Sequence, residues 1–177
     1  GPLAPADACE LVRQAALGLE DAHRHGLVHR DIKPSNLMLT PQGQVKILDL
    51  GLARPAVQSA GADMTISGQV MGTADYIAPE QVSDSHAVDI RADLYSLGCT
   101  LYKLLCGRAP FEGSAYRLAF DKLAAHVRDA VPPLGRDVPA PLAAILARLL
   151  AKSPADRFPT PGELADSIAP LAAGNDL

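Results

Sequence analysis

Apolar positions along the chain recur at two periods, and each change of period marks a new element. Over residues 7–25, Ala8, Leu11, Val12, Ala15, Leu19 and Ala22 return at helical spacing, so they share one stripe of an α-helix. Gly26 supplies the left-handed position at which such a helix ends. Leu27-Val28 lead into a polar stretch. Leu37-Met38-Leu39 and Val45-Lys46-Ile47-Leu48 then read as two short strands, with Thr40-Pro41-Gln42-Gly43 between them. Proline second and glycine fourth suit a type I turn, so the pattern predicts a hairpin. It ends on Asp49-Leu50-Gly51.

Residues 53–72 show little periodicity and many small or polar side chains, which predicts a mobile loop; a structureless stretch of that length is more often functional than accidental. Residues 90–106 form the most apolar segment. Leu94, Leu97, Leu101, Leu104 and Leu105 cover much of its girth, and Gly107 closes it, so a central buried helix is expected. Asp93 lies inside that pattern, and a buried carboxylate must find donors. Further helices are predicted over 114–127 and 141–150, with Pro132-Pro133 in the loop between them. A last one opens at Thr160-Pro161-Gly162-Glu163, where Thr at N-cap, Pro at N1 and Glu at N3 suggest a capping box. No internal repeat is visible. The expected fold is mainly α, with one small β-hairpin.

Composition narrows the partners. The 177 residues are 48% apolar but only 4% aromatic, with no Trp, so the core must be mainly Leu, Ala, Val and Ile. A net charge of −4 offers no basic footprint for nucleic acid and no polybasic membrane anchor. No apolar run reaches spanning length, so no membrane contact is expected from this segment. Cys9, Cys99 and Cys106 lie in apolar helical patterns without a C-x-x-C pair; reduced, buried thiols suit a cytoplasmic compartment. His23, His25, His86 and His126 show no metal-ligand spacing and read as helix-surface or loop residues.

The candidate chemistry sits between the first helix and the hairpin. His29-Arg30-Asp31-Ile32-Lys33-Pro34-Ser35-Asn36 gathers a carboxylate, an ammonium two residues on and a carboxamide three beyond that. Pro34 fixes its own φ and pushes Lys33 away from helical backbone, so this stretch is a loop that can aim all three side chains into one pocket.

Taken with Asp49-Leu50-Gly51 and Ala78-Pro79-Glu80, in that order and at those separations, the stretch resembles the carboxy-terminal lobe of a bacterial Hanks-type serine/threonine protein kinase. The resemblance covers nearly the whole of residues 1–177, read as one kinase C-lobe. It implies transfer of the γ-phosphoryl group of ATP, with Mg2+, to Ser or Thr hydroxyls of a protein substrate. Asp31 would accept the hydroxyl proton, Lys33 would neutralise the transferring phosphoryl group, and Asn36 and Asp49 would ligate magnesium. Met38 aligns with the residue beneath adenine. Thr73 matches the Gly-Thr pair of serine/threonine kinases. His29 and Leu50 resemble members of a hydrophobic stack, Asp93 the buried anchor of the catalytic loop, and Glu80 with Arg157 a buried ion pair. Arg30 would bind phosphate on the activation segment, with Thr65 and Ser67 as its candidate acceptors.

The sequence contains no Gly-x-Gly-x-x-Gly loop, no Val-Ala-x-Lys strand and no helix bearing that lysine's glutamate partner. The expectation is therefore that the N-lobe acts in cis from a longer protein and that this chain alone binds nucleotide weakly and is inactive. The alternative is a truncated or stand-alone kinase-like lobe used as a non-catalytic interaction module.

Overall fold

The computed structural model describes residues 1–49, 54–55, 73–83, 88–135 and 138–177. Leu50, Gly51, Thr65, Ser67, Gly72, His86 and nearly all of the loop expected over 53–72 lie outside the described residues.

Helix α1, Pro5–Arg24, opens with Pro at its first position and turns its apolar stripe inward, burying Ala8, Cys9, Val12, Ala15, Ala16 and Leu19. It packs on the helix that ends the fold. Gly26 follows at φ +71°, as a left-handed helix terminus requires. Strand β1, Leu27–Val28, precedes the polar loop, which closes in a short 3-10 turn at Pro34–Asn36. Strands β2, Leu37–Leu39, and β3, Val45–Ile47, pair antiparallel with Leu37 opposite Ile47 and Leu39 opposite Val45. The Gly43 N–H donates to the Thr40 carbonyl at 3.0 Å, and Gly43 takes φ +71°, which closes the expected turn.

Strand β4, Arg54–Pro55, pairs antiparallel with β1. Sequence pattern assigned neither strand of that pair, because two residues are too few to display a period. A five-residue helix, α2 (Pro79–Ser83), was likewise too short to register.

Helix α3, Ile90–Cys106, is the axis of the core. The Asp89 carboxylate accepts from the Arg91 N–H and caps its start, and Gly107 at φ 76° ends it. Leu94, Leu97 and Leu101 are fully buried, and so are Tyr95 and Cys99. Gly98 marks its closest contact: a Cβ there would stand 2.8 Å from the Leu149 Cβ, so glycine lets the next helical layer approach. Burial pushes the Cys9 thiol up to about 11, so it stays protonated and behaves as a small apolar side chain.

Helix α4 spans Ala119–Arg128, not 114–127. Leu118 is extended at φ −100° and ψ 151°, and the Asp121 carboxylate accepts from its N–H at 3.0 Å, which sets the helix start. Helices α5, Ala140–Leu149, and α6, Pro161–Ile168, complete the body. Thr160 accepts from the Glu163 N–H at 3.2 Å; the reciprocal half of the capping box is not formed among the described residues. His126, expected on a helix surface, is fully buried. Its Nδ1 pairs with the Tyr95 hydroxyl at 2.9 Å, and the Phe111 ring meets it edge-on at 4.8 Å. A long-range aromatic contact of this kind leaves no local pattern. The architecture is mainly helical, with two two-stranded ribbons beside the polar loop among the described residues.

Candidate active site

The polar loop is fixed from below before any side chain reaches the surface. Asp93 on α3 is wholly buried and accepts two backbone bonds, from the His29 N–H and the Arg30 N–H, each at 2.7 Å. Both carboxylate oxygens are thereby used, and the donors required by a buried carboxylate are found. Burial pushes the Asp93 carboxyl up to about 6, while the two N–H donors pull the other way. His29, also buried, accepts from the Asp31 N–H at Nδ1 (3.3 Å) and donates from Nε2 to the Leu48 carbonyl at 2.8 Å. One imidazole thus ties the loop to the end of the hairpin.

On that base the three polar side chains converge. The Lys33 Nζ lies 2.8 Å from the Asp31 carboxylate, and the Asn36 Nδ2 donates to both the Asp31 carbonyl (2.8 Å) and its carboxylate (3.1 Å). Thr73 joins from the far segment: its hydroxyl accepts from Lys33 at 3.1 Å and donates to Asp31 at 3.2 Å. Asp31 and Lys33 keep about a fifth of their side-chain area exposed, at 22% and 20%, so the cluster is reachable from solvent.

The Leu48 N–H donates to the Asn36 carbonyl at 2.9 Å, which ties the residue before Asp49 to the end of the loop. Asp49 and Arg30, at φ 60° and 69°, are the two non-glycine residues with left-handed backbone among those described, and both lie at the site. Asp49 is exposed. The residues present fit a magnesium ion: Asn36 has committed its amide nitrogen to Asp31, which leaves its carbonyl oxygen, and the exposed Asp49 carboxylate has no hydrogen-bond partner among the described residues, both being hard oxygen donors. No cluster of three or more His, Cys, Asp or Glu forms among the described residues. Met38 is 46% exposed on the hairpin face away from the core, and Leu39, 47% exposed, lies on the opposite face with Leu37 and Val45.

Below the loop, Arg157 makes a two-pronged pair with Glu80, at 2.6 and 2.8 Å, and donates to the carbonyls of Arg91, Ala151 and Lys152. Its side chain is fully buried. The Nε and Nη2 atoms of Arg30 are buried and have no hydrogen-bond partner among the described residues. Sequence reasoning passed over the Gln81 side chain, whose Nε2 donates to the Arg30 carbonyl at 3.0 Å while its Oε1 accepts from the Ala78 N–H at 3.0 Å. It also missed the ion pair between Lys122 on α4 and Asp75. The position of Gln81, third in a helix that starts after Ala78, was the available signal for a capping contact.

A carboxylate, a lysine and an asparagine are thus presented by one loop that is pinned to a buried central helix. The chain belongs to the protein kinase domain family, whose model matches residues 1–167. It is 43% identical to the serine/threonine-protein kinase PknB of Mycolicibacterium smegmatis over 168 residues, covering 93% of this chain and 26% of that protein. Against PknA of Mycobacterium tuberculosis it is 41% identical over 174 residues, covering 98% of this chain and 39% of that one. The chain therefore spans well under half the length of these relatives.

Proposed function

We propose that this chain is the carboxy-terminal, catalytic lobe of an ATP-dependent serine/threonine protein kinase. The observation that carries the reading is the convergence of Lys33, Asn36 and Thr73 on the Asp31 carboxylate. In the reaction, a Ser or Thr hydroxyl oxygen of a protein substrate attacks the γ-phosphorus, the bond to the β–γ bridging oxygen breaks, ADP leaves, and the hydroxyl proton passes to Asp31. Positioning of that hydroxyl is the larger part of what Asp31 does, since phosphoryl transfer asks little of acid-base chemistry. Lys33, now paired with Asp31, turns its charge to the transferring group. Asn36 and Asp49 hold magnesium, which neutralises charge on the phosphates. Met38 forms the floor under adenine. Arg30, whose Nε and Nη2 have no hydrogen-bond partner among the described residues, is the receptor for phosphate on Thr65 or Ser67.

The phosphate cover and its lysine come in cis from an N-lobe elsewhere in a longer protein, a reading supported by the length of the relatives. The working compartment is the cytoplasm, in keeping with buried thiols at Cys9 and Cys99. A non-catalytic interaction module has no physical need for Asp31, Lys33, Asn36 and Asp49 together. The test is Asp31→Asn in the two-lobed protein: phosphate transfer to a Ser/Thr peptide should fall by about 10²–10⁴-fold with magnesium-ATP binding nearly intact. Turnover close to wild type would remove Asp31 from the reaction.

A further inference from the structure

The backbone around Asp31 can be accounted for group by group. The His29 and Arg30 N–H groups go to Asp93, the Asp31 N–H goes to His29 Nδ1, and the Asp31 carbonyl accepts from Asn36. The Arg30 carbonyl accepts from Gln81. Three of the four side chains that hold these groups belong either to the loop itself or to the buried helix α3. Gln81 alone reaches in from the other side, from the segment that carries Thr73 and Ala78.

We propose that Gln81 is a positioning residue that couples the segment 73–78 to the candidate base, by fixing the Arg30–Asp31 peptide through one carboxamide. Its orientation is forced by chemistry: a backbone N–H only donates, so Ala78 takes Oε1, and a carbonyl only accepts, so Arg30 takes Nε2. That peptide group follows a left-handed residue, Arg30 at φ 69°, a conformation that a non-glycine residue keeps only when its surroundings hold it. The plane of the peptide sets the direction in which the Asp31 carboxylate leaves the backbone. A shift of Ala78, when protein substrate binds along this segment, would reach Asp31 through a single side chain.

The plainer account is helix capping. Gln81 is the third residue of α2, its N–H donates to the Ala78 carbonyl at 3.0 Å, and its side chain returns to the Ala78 N–H as the N3 half of a capping box. Capping needs only an acceptor, so glutamate would serve as well, and its charge favours a helix N-terminus. The bond to Arg30 needs a donor, which glutamate lacks. Gln81→Glu therefore separates the two roles.

The inference rests on the kinase reading, and the experiment keeps the two apart. In the two-lobed protein, Gln81→Glu is expected to lower kcat for peptide phosphorylation by about tenfold to a hundredfold. KM for magnesium-ATP should stay within about twofold of wild type, and Tm should not change. Gln81→Met, which removes both bonds, should lower kcat and Tm together. Amide hydrogen exchange, which needs no turnover, should show faster exchange of residues 29–31 in Gln81→Glu with α2 still protected. Unchanged kcat together with unchanged exchange at 29–31 overturns the proposal. So does a Tm loss in Gln81→Glu equal to that of Gln81→Met, which would leave capping as the whole role. If the wild-type protein transfers no phosphate, the kinase reading fails, and the exchange comparison still decides whether Gln81 holds the loop.

Discussion

The polar loop of residues 29–36 and the hairpin next to it are adjacent in sequence and opposite in finish. Around the loop, Asp93 and His29 are buried and hydrogen-bonded, and the Arg157 side chain beneath them is entirely enclosed by Glu80 and three carbonyls. On the hairpin, Met38, Leu39 and Leu48 leave more than a third of their area in water, and Asp49 stands exposed beside them. The difference separates two kinds of preparation. The groups that must aim Asp31 are fixed by the fold itself. The side chains of the hairpin, Met38 on one face and Leu39 on the other, keep contact area unspent, as surface residues do when a partner is left to cover them.

The largest effect should come from breaking the finished side. Arg157→Ala strands the Glu80 carboxylate, whose side chain is only 11% exposed, and it orphans three carbonyls. Loss of one partner of such a pair is expected to cost about 3–5 kcal/mol, measured by urea unfolding. A change below about 1 kcal/mol, the range of exposed pairs, would mean that the surroundings of the loop are no more committed than the hairpin.

Next in size is a pH effect from His126. Burial, reinforced by the Lys152 charge, pushes its imidazole down to about 3, so it folds neutral while the unfolded residue titrates near its ordinary value. A depressed folded value means that the stabilisation is complete above the unfolded pKa and is lost as pH falls from there towards about 3. Asp93, pushed up to about 6, titrates with the opposite sign in part of the same range, so the wild-type curve alone would blur the two. The clean measurement is the stability difference between wild type and His126→Gln, in which Asp93 cancels. That difference should shrink by about 1.4 kcal/mol per pH unit below the ordinary histidine range. A flat difference between pH about 6.5 and 5 would show that His126 takes up its proton without opening the core.

What the sequence could reveal follows the same division. Helix α3 was legible because Leu94, Leu97 and Leu101 repeat along it, and Asp93 stood out as a charge within that repeat; its donors proved to be loop N–H groups, 64 and 63 residues away. The hairpin was legible because Thr40-Pro41-Gln42-Gly43 states its turn locally. The start of α4 was not, since an extended Leu118 held by Asp121 interrupts an apolar pattern that otherwise continues. His126 and Tyr95 meet across 31 residues, and the bond from Gln81 to Arg30 needs a segment brought back over 51. Contacts of that reach are set by packing, and no periodicity announces them. The identities of Asp31, Lys33 and Asn36 were plain in the sequence, whereas the part of Thr73 in joining Lys33 to Asp31 needed coordinates.

The smallest effect on stability, and the sharpest on the comparison, belongs to Met38. It is 46% exposed, so Met38→Ala removes a side chain that the fold has only half used. Unfolding free energy should move by no more than about 0.5 kcal/mol, as for surface positions generally. If the hairpin face is the adenine floor, the same substitution in the two-lobed protein forfeits apolar contact with the nucleotide worth about 1 kcal/mol, which is about fivefold in Kd for magnesium-ATP. Stability and affinity should therefore part company here, in contrast to Arg157, where the loss falls on the fold. A stability loss above about 2 kcal/mol, the range of core truncations, would assign Met38 to the core. Unchanged affinity with unchanged stability would leave the open face without a nucleotide, and the contrast between the two regions would then describe packing alone.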